Sequence, residues 1–250
     1  MEVTNSGLNE PSANAREFAT THWSVVLGAR AEDSVLAAQA LEELCRTYWY
    51  PLYAYVRRQG RSADDAQDLT QAFFARLLSG NSLNFVEQRK GKFRSYLLGA
   101  MNHFLAEEWN RGRRQKRGGG LAILSLDETS AERQYHLEPV DSMTAETIYE
   151  RRWALTLLGH VLQRLETEFV EAGKAKQFGV LKTFLLGDKS ELSYADAAAQ
   201  THLTENAVRV AVHRMRQRYG ELFRQTIAHT VADPAEVDEE MAHLRRILGA

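Results

Sequence analysis

Apolar residues in this chain gather into stretches with helical spacing, separated by short clusters of Gly, Ser, Asn and Asp. A first block runs from about Thr21 to Arg117, with breaks expected at Gly28 to Ser34, Gly60 to Asp64 and Ser79 to Gly91. Within it, Ala66, Leu69, Phe73 and Leu77 fall on one stripe of a helix, with Asp64, Asp68, Gln71, Ala72 and Ala75 opposite. A second block covers about Met143 to His229, with breaks near Gly173 and from Gly187 to Ser193. There Val208, Ala211, Val212 and Met215 share a stripe that should face a core. A last helix is marked by Asp233, Pro234 and Glu236 as cap, first-turn proline and capping-box partner. Val237, Met241, Leu244 and Leu248 give that helix one apolar face.

These stretches predict an all-α fold with two helical domains joined by a linker, the C-terminal one containing a helix-turn-helix. The expected organisation is a polar, disordered lead at 1–17, a domain at 18–117, a linker at 118–142, a domain at 143–230 and an extra helix at 231–250. Leu121 to Leu126 is apolar enough to dock, so the linker need not be free. Four prolines in 250 residues agree with helix nearly throughout.

Charge changes the picture locally rather than globally. The net charge is −2, yet Arg111 to Arg117 carries five basic residues in seven, and Asp64, Asp65 and Asp68 cluster earlier. That segregation suits a modular DNA binder and is also seen on ordinary solvated surfaces. Cys45 is the only cysteine, which excludes an intrachain disulfide and a CxxC-type zinc site. With no apolar run of membrane-spanning length and no signal-peptide pattern at Met1 to Asn14, a cytoplasmic location is expected.

The sharpest local motif is Leu192 to His213. Ser193 can cap a short Ala-rich helix, Thr201 to Thr204 makes a short turn, and Thr204 can cap the next helix. The outward face of that second helix carries Asn206, Val210, His213 and Gln217, flanked by Arg209 and Arg214. Amide, imidazole and guanidinium groups in that array can meet base edges and phosphates. An ordinary amphipathic helix pair gives the same pattern, so the motif alone does not decide.

The first block adds a second, independent pattern. Tyr48 to Arg58 reads YWYPLYAYVRR, Ser62 to Leu78 reads SADDAQDLTQAFFARLL, and Gly91 to Leu98 reads GKFRSYLL. Asn102, Phe104, Leu105 and Trp109 then lead to the basic cluster. In this order, followed by the C-terminal motif, the chain resembles the extracytoplasmic-function (ECF) group of bacterial sigma factors over about residues 20 to 228.

That resemblance implies three roles. The helix from Asp64 to Leu78 would dock on the clamp helices of core RNA polymerase through Asp64, Asp65, Asp68, Gln71, Ala72 and Ala75. The stretch from Phe93 to Arg117 would melt and read the −10 element, with Arg94, Trp109, Asn110, Arg111, Arg113, Arg114, Lys116 and Arg117 as contacts. Stacking surfaces beside cations are what a captured single-stranded base requires. The C-terminal motif would read the −35 element through Asn206, Arg209, Val210, His213, Arg214 and Gln217, and touch the polymerase flap.

One position departs from the family pattern: Ala72 follows Gln71 where many members carry a carboxylate. Phosphorylation of the neighbouring Thr70 would restore charge, making Thr70 a candidate site and a Ser/Thr kinase a candidate partner beside an anti-sigma factor. The stretch Thr20 to Ser24 also resembles kinase-associated members, although Thr21 is more simply explained as a helix cap and Trp23 as a packing residue. A helix-compatible Thr at a core edge is the simpler account of Thr70.

Catalysis, metals and cofactors are not expected. His103 and Glu107 lie four apart without a second pair, and Gly118-Gly119-Gly120 follows basic residues rather than a strand. The reading is a sigma factor that binds core polymerase and directs promoter recognition. Two alternatives stay open: a polymerase-independent helix-turn-helix DNA-binding regulator, and a sigma-like adaptor without specific DNA contact.

Overall fold

The computed structural model describes residues 35–79, 92–112, 128–136, 143–185 and 192–249. Among them lie helices α1 (Val35–Arg58), α2 (Ala63–Ser79), α3 (Phe93–Gly112), α4 (Glu128–His136), α5 (Ala145–Glu171), α6 (Ala175–Leu181), α7 (Tyr194–Thr201), α8 (Glu205–Ala228) and α9 (Val237–Gly249). Short 3-10 turns follow α6 at Lys182–Phe184 and precede α9 at Pro234–Glu236. No strand occurs among the described residues. The lead at 1–17, Thr20 to Ser24, the glycine triplet and Leu121 to Leu126 lie outside them.

The helix limits follow from local chemistry. Thr144 caps α5 by accepting the N–H of Thr147, Ser193 caps α7 by accepting that of Asp196, and Thr204 caps α8 by accepting that of Ala207. α5 ends where Gly173 takes φ +70°, and the Lys174 N–H then bonds the Phe169 carbonyl at 2.8 Å. A left-handed residue of this kind turns the chain away while answering a carbonyl the helix would leave bare.

The two sequence blocks do not stand apart. α1 packs against α2 on one side and, more extensively, against α5 on another. Its buried Tyr48, Leu52, Tyr55 and Val56 form one core with Ile148, Tyr149, Trp153 and Leu157 of α5. Tyr55 meets Tyr149 edge-on at 6.4 Å, and Tyr48 meets Phe93 of α3 edge-on at 5.6 Å. α5 in turn packs on α6, α8 and α9, so it is the central beam of the molecule.

The expected linker contains α4, which is bound to α1. Arg57 forks onto Glu132 through Nε at 3.0 Å and Nη2 at 2.5 Å, and its guanidinium lies 4.9 Å from the Tyr135 ring centre. The Tyr53 hydroxyl also donates to Glu132. Ala131 and Tyr135, four apart, are the buried face of this short helix.

Two measurements test this core. Leu157 is fully buried in α5, so Leu157→Ala should cost about 2–5 kcal/mol, read as a lower denaturant midpoint with unchanged slope. His160, one turn further on, is held below the ordinary histidine range, first by burial and then by the Arg46 charge. The unfolded chain therefore binds a proton that the folded chain resists, and stability should fall as pH drops below the ordinary value of about 6.5. His160→Gln should flatten that part of the stability profile.

Candidate nucleic-acid interface

α7, the turn at 202–204 and α8 build the first surface. His202 turns the chain with φ 56°, and the Leu203 N–H bonds back to the Ala198 carbonyl. Ala197 is fully buried, which lets α8 lie close across α7. Val208, Val212 and Met215 are buried as the periodicity requires. Asn206, Arg209, Val210, His213, Arg214 and Gln217 are all exposed, on a face about 16 Å long at 1.5 Å per residue. A helix of ordinary diameter fits the major groove.

This face rests on a rigid base. Arg216 donates twice to the Phe184 carbonyl, at 3.0 and 2.6 Å. Arg218 forks onto Glu168 of α5 at 2.9 and 2.8 Å, which holds that carboxyl below the usual carboxylate range. The Tyr219 hydroxyl donates to the Leu158 carbonyl. Arg209 is pre-set too: it pairs with Glu205 at 2.6 Å and lies 4.4 Å above the ring of Tyr194, which stacks on Phe184. Tyr194 thus supports the interface although the sequence pattern did not single it out.

The second surface lies between α2 and α3. Asp64, Asp65, Asp68 and Ala72 are exposed, and Gln71 and Ala75 half-buried, while Ala66, Phe73, Phe74 and Leu77 face inward. Phe73 meets Phe104 edge-on, joining the two helices. Trp109 is 54% exposed, so it is not a core residue, and Arg61 sits 5.1 Å from its ring centre. A cavity of about 460 Å³ is lined by Arg61, Asp65, Asp68, Leu69, Leu105, Glu108 and Trp109. One cleft therefore brings together the acidic edge and the aromatic platform that the sequence assigned to separate tasks. Asn110 is exposed beside it, and Arg111 lies in the last turn of α3. Arg113, Arg114, Lys116 and Arg117 lie outside the described residues.

Three expectations need correction. Thr70 is not at the margin of the buried stripe but fully buried, its hydroxyl donating to the Ala66 carbonyl at 2.7 Å. The stripe is rotated toward Phe74, which leaves Leu69 only half-buried. Arg94 is not an exposed cation: it is 3% exposed and lies between Trp153 and Glu240. Glu107, read together with His103 as a solvated pair rather than a metal site, pairs with Arg76.

A family model described as ECF sigma factor matches residues 37–221, most of the chain and both surfaces. The chain belongs to the ECF sigma factor family. No curated protein and no solved structure matches it. Membership makes this sigma factor a DNA-binding, non-catalytic protein of transcription initiation, acting with RNA polymerase at specific promoters. Partners of the family are core polymerase, promoter DNA and anti-sigma factors. No helix among the described residues is long and apolar enough to cross a membrane.

The environment of Thr70 generates a contrast within this sigma factor. The Ala66 carbonyl keeps its helical partner without the Thr70 hydroxyl, so Thr70→Val should change stability by less than about 1 kcal/mol. Thr70→Asp places a carboxylate among apolar side chains and should cost more than about 2 kcal/mol. Urea titrations of both variants check the difference.

Proposed function

We propose that the two surfaces divide promoter recognition between them. The outward face of α8 reads the −35 element, with Asn206, His213 and Gln217 at base edges and Arg209 and Arg214 on phosphates. The C-terminal half of α3 and the basic stretch after it hold the −10 element, with Trp109 as stacking platform. The acidic edge of α2 docks on a basic partner helix of the polymerase clamp. The observation that carries this reading is the joint exposure of α8's six predicted residues above a helix base tied down by Arg216, Arg218 and Tyr219.

Activation by a kinase at Thr70 would require the first turns of α2 to open, because its hydroxyl is packed against the helix. Its burial supports a packing role instead. The missing charge at Ala72 then stands as a feature of the docking surface itself, an exposed small residue beside Asp68 and Gln71. Such a face accepts close approach of a partner helix with less electrostatic pull.

Reconstitution tests the proposal. Purified chain and core polymerase should form a complex that initiates at a promoter with −35 and −10 elements. Tight duplex binding without polymerase and no initiation with it would instead favour an independent regulator. Within the complex, Asn206→Ala should relax discrimination at one −35 base pair by about 1–3 kcal/mol. Arg214→Ala should weaken binding on all sequences alike and lower the salt slope by about one.

A further inference from the structure

The start of α3 is held by a helix that the family match does not include. The match ends at residue 221, whereas α9 spans Val237–Gly249. α9 lays Val237, Leu244 and a carboxylate, Glu240, against the rest of the molecule. Glu240 is 1% exposed, and Arg94 Nη1 lies 2.5 Å from its Oε1. Lys92, also from the start of α3, pairs with its other oxygen. The Arg94 guanidinium lies 4.5 Å from the Trp153 ring centre, and Glu150 of α5 stands 3.9 Å from its Nε. The Tyr149 hydroxyl donates to the Arg94 carbonyl at 2.9 Å. α9 is itself moored to α5 by His243 on Glu150 and by Arg151 on the Ile247 carbonyl.

Two physical features make this contact unlike an ordinary stabilising one. First, the ion pair is close without being well aligned: neither Arg94 Nη1 and Nε nor Glu240 Oε1 makes a hydrogen bond of good geometry. Both charges leave water to meet there, whereas apolar residues of similar volume often fill such a space as stably. Second, the contact hides a cation on the helix proposed to read the −10 element. A carboxylate answers Arg94 where a DNA phosphate would.

Geometry supplies a further reason for the contact to open. The separation between −35 and −10 elements is about 25 base pairs, or about 85 Å at 3.4 Å per pair. The described residues, about 176 packed as one compact body, have a radius of gyration of about 16 Å and span about 40 Å. The packed arrangement of α1 on α5 cannot reach both elements at once.

We propose that α9 is an internal latch: Glu240 stands in for nucleic-acid phosphate at Arg94 and Lys92 and adds to the α1–α5 contact that keeps the two promoter-reading blocks closed until polymerase separates them. The proposal rests on the promoter-reading roles given above. Opening exchanges the Glu240 contact for hydration of Arg94 and frees α3 and α8 to diverge. Because the latch competes with docking, weakening it should tighten binding to polymerase.

The test uses the full chain carrying Glu240→Gln, which keeps the side-chain shape, and separately Lys92→Glu, which acts at the rim. Helicity by circular dichroism, radius of gyration by small-angle X-ray scattering, affinity for core polymerase and promoter-directed transcription are measured for each. The wild-type radius is the reference for both variants. With helicity intact, both variants should expand, and core affinity should rise about fivefold or more; transcript yield should rise with it for Glu240→Gln, which leaves Lys92 in place to meet DNA. If Glu240→Gln loses helicity, Lys92→Glu decides alone. Folded variants that keep the wild-type radius overturn the latch. Expansion with unchanged, measurable polymerase binding overturns the masking role. Expansion while no form of the chain binds polymerase upholds the latch and sinks the promoter-reading assignment instead.

Discussion

A guanidinium withdrawn from water has to be answered by charge, by hydrogen bonds or by a ring face, and the burial of Arg94 sets that requirement at the junction of three helices. Burial alone would raise the carboxyl of Glu240, but Arg94 and Lys92 outweigh it and hold the group below the usual carboxylate range. Glu240 is therefore ionised inside the molecule, and α9 must sit where it sits for the charges to balance. Trp153 accepts the other face of the guanidinium, which fixes how α5 meets α3. The aromatic seam of Tyr48, Phe93, Tyr55 and Tyr149 supplies apolar burial around this point without dictating a unique arrangement.

Away from that junction, the exposed side chains of α8 stand above residues that are bonded to neighbouring elements. α8 shows this division along its length: its first turns project Asn206, Val210 and His213, while Arg216, Arg218 and Tyr219 further along bond to α5 and to the Phe184 carbonyl. A recognition face on such a base loses little conformational freedom on binding, so its contacts convert more fully into affinity. Arg209 follows the same rule through Glu205 and Tyr194. The cleft around Trp109 has a looser design, with an exposed ring and a resident cation, Arg61, that a ligand could displace.

How much of this was legible in the sequence depends on how local the cause was. Ser193, Thr204 and Asp233 cap helices by bonding an N–H two or three residues ahead, so their roles could be read directly from neighbouring letters. The stripes of α8 and α9 were legible for the same reason, since a regular helix carries its own periodicity. On α2 the reading slipped at Thr70 and Leu69, because two adjacent phenylalanines allow either of two stripes and only α1 and α3 choose between them. α4 was missed because nine residues hold few helical turns, and its anchor is Arg57, seventy-five positions earlier. Arg94 was read as a surface cation because its partner lies on α9, far along the chain.

The position of that partner outside the family match matters for how the molecule is understood. Residues 37–221 carry the pattern shared by ECF sigma factors, and both candidate reading surfaces lie within it. A helix appended beyond such machinery can add to its core or alter access to it. An apolar face alone would serve the first purpose, and Val237, Met241, Leu244 and Leu248 provide one. Glu240 sits on that same face, where a leucine would pack without any desolvation penalty, and its charge meets Arg94 and Lys92 from the start of α3. The apolar face accounts for α9's packing, and the buried Arg94 accounts for a carboxylate that points inward. On the latch proposed above, the charge that stabilises Arg94 inside the fold is also the one that decides when α3 is free to meet another anion.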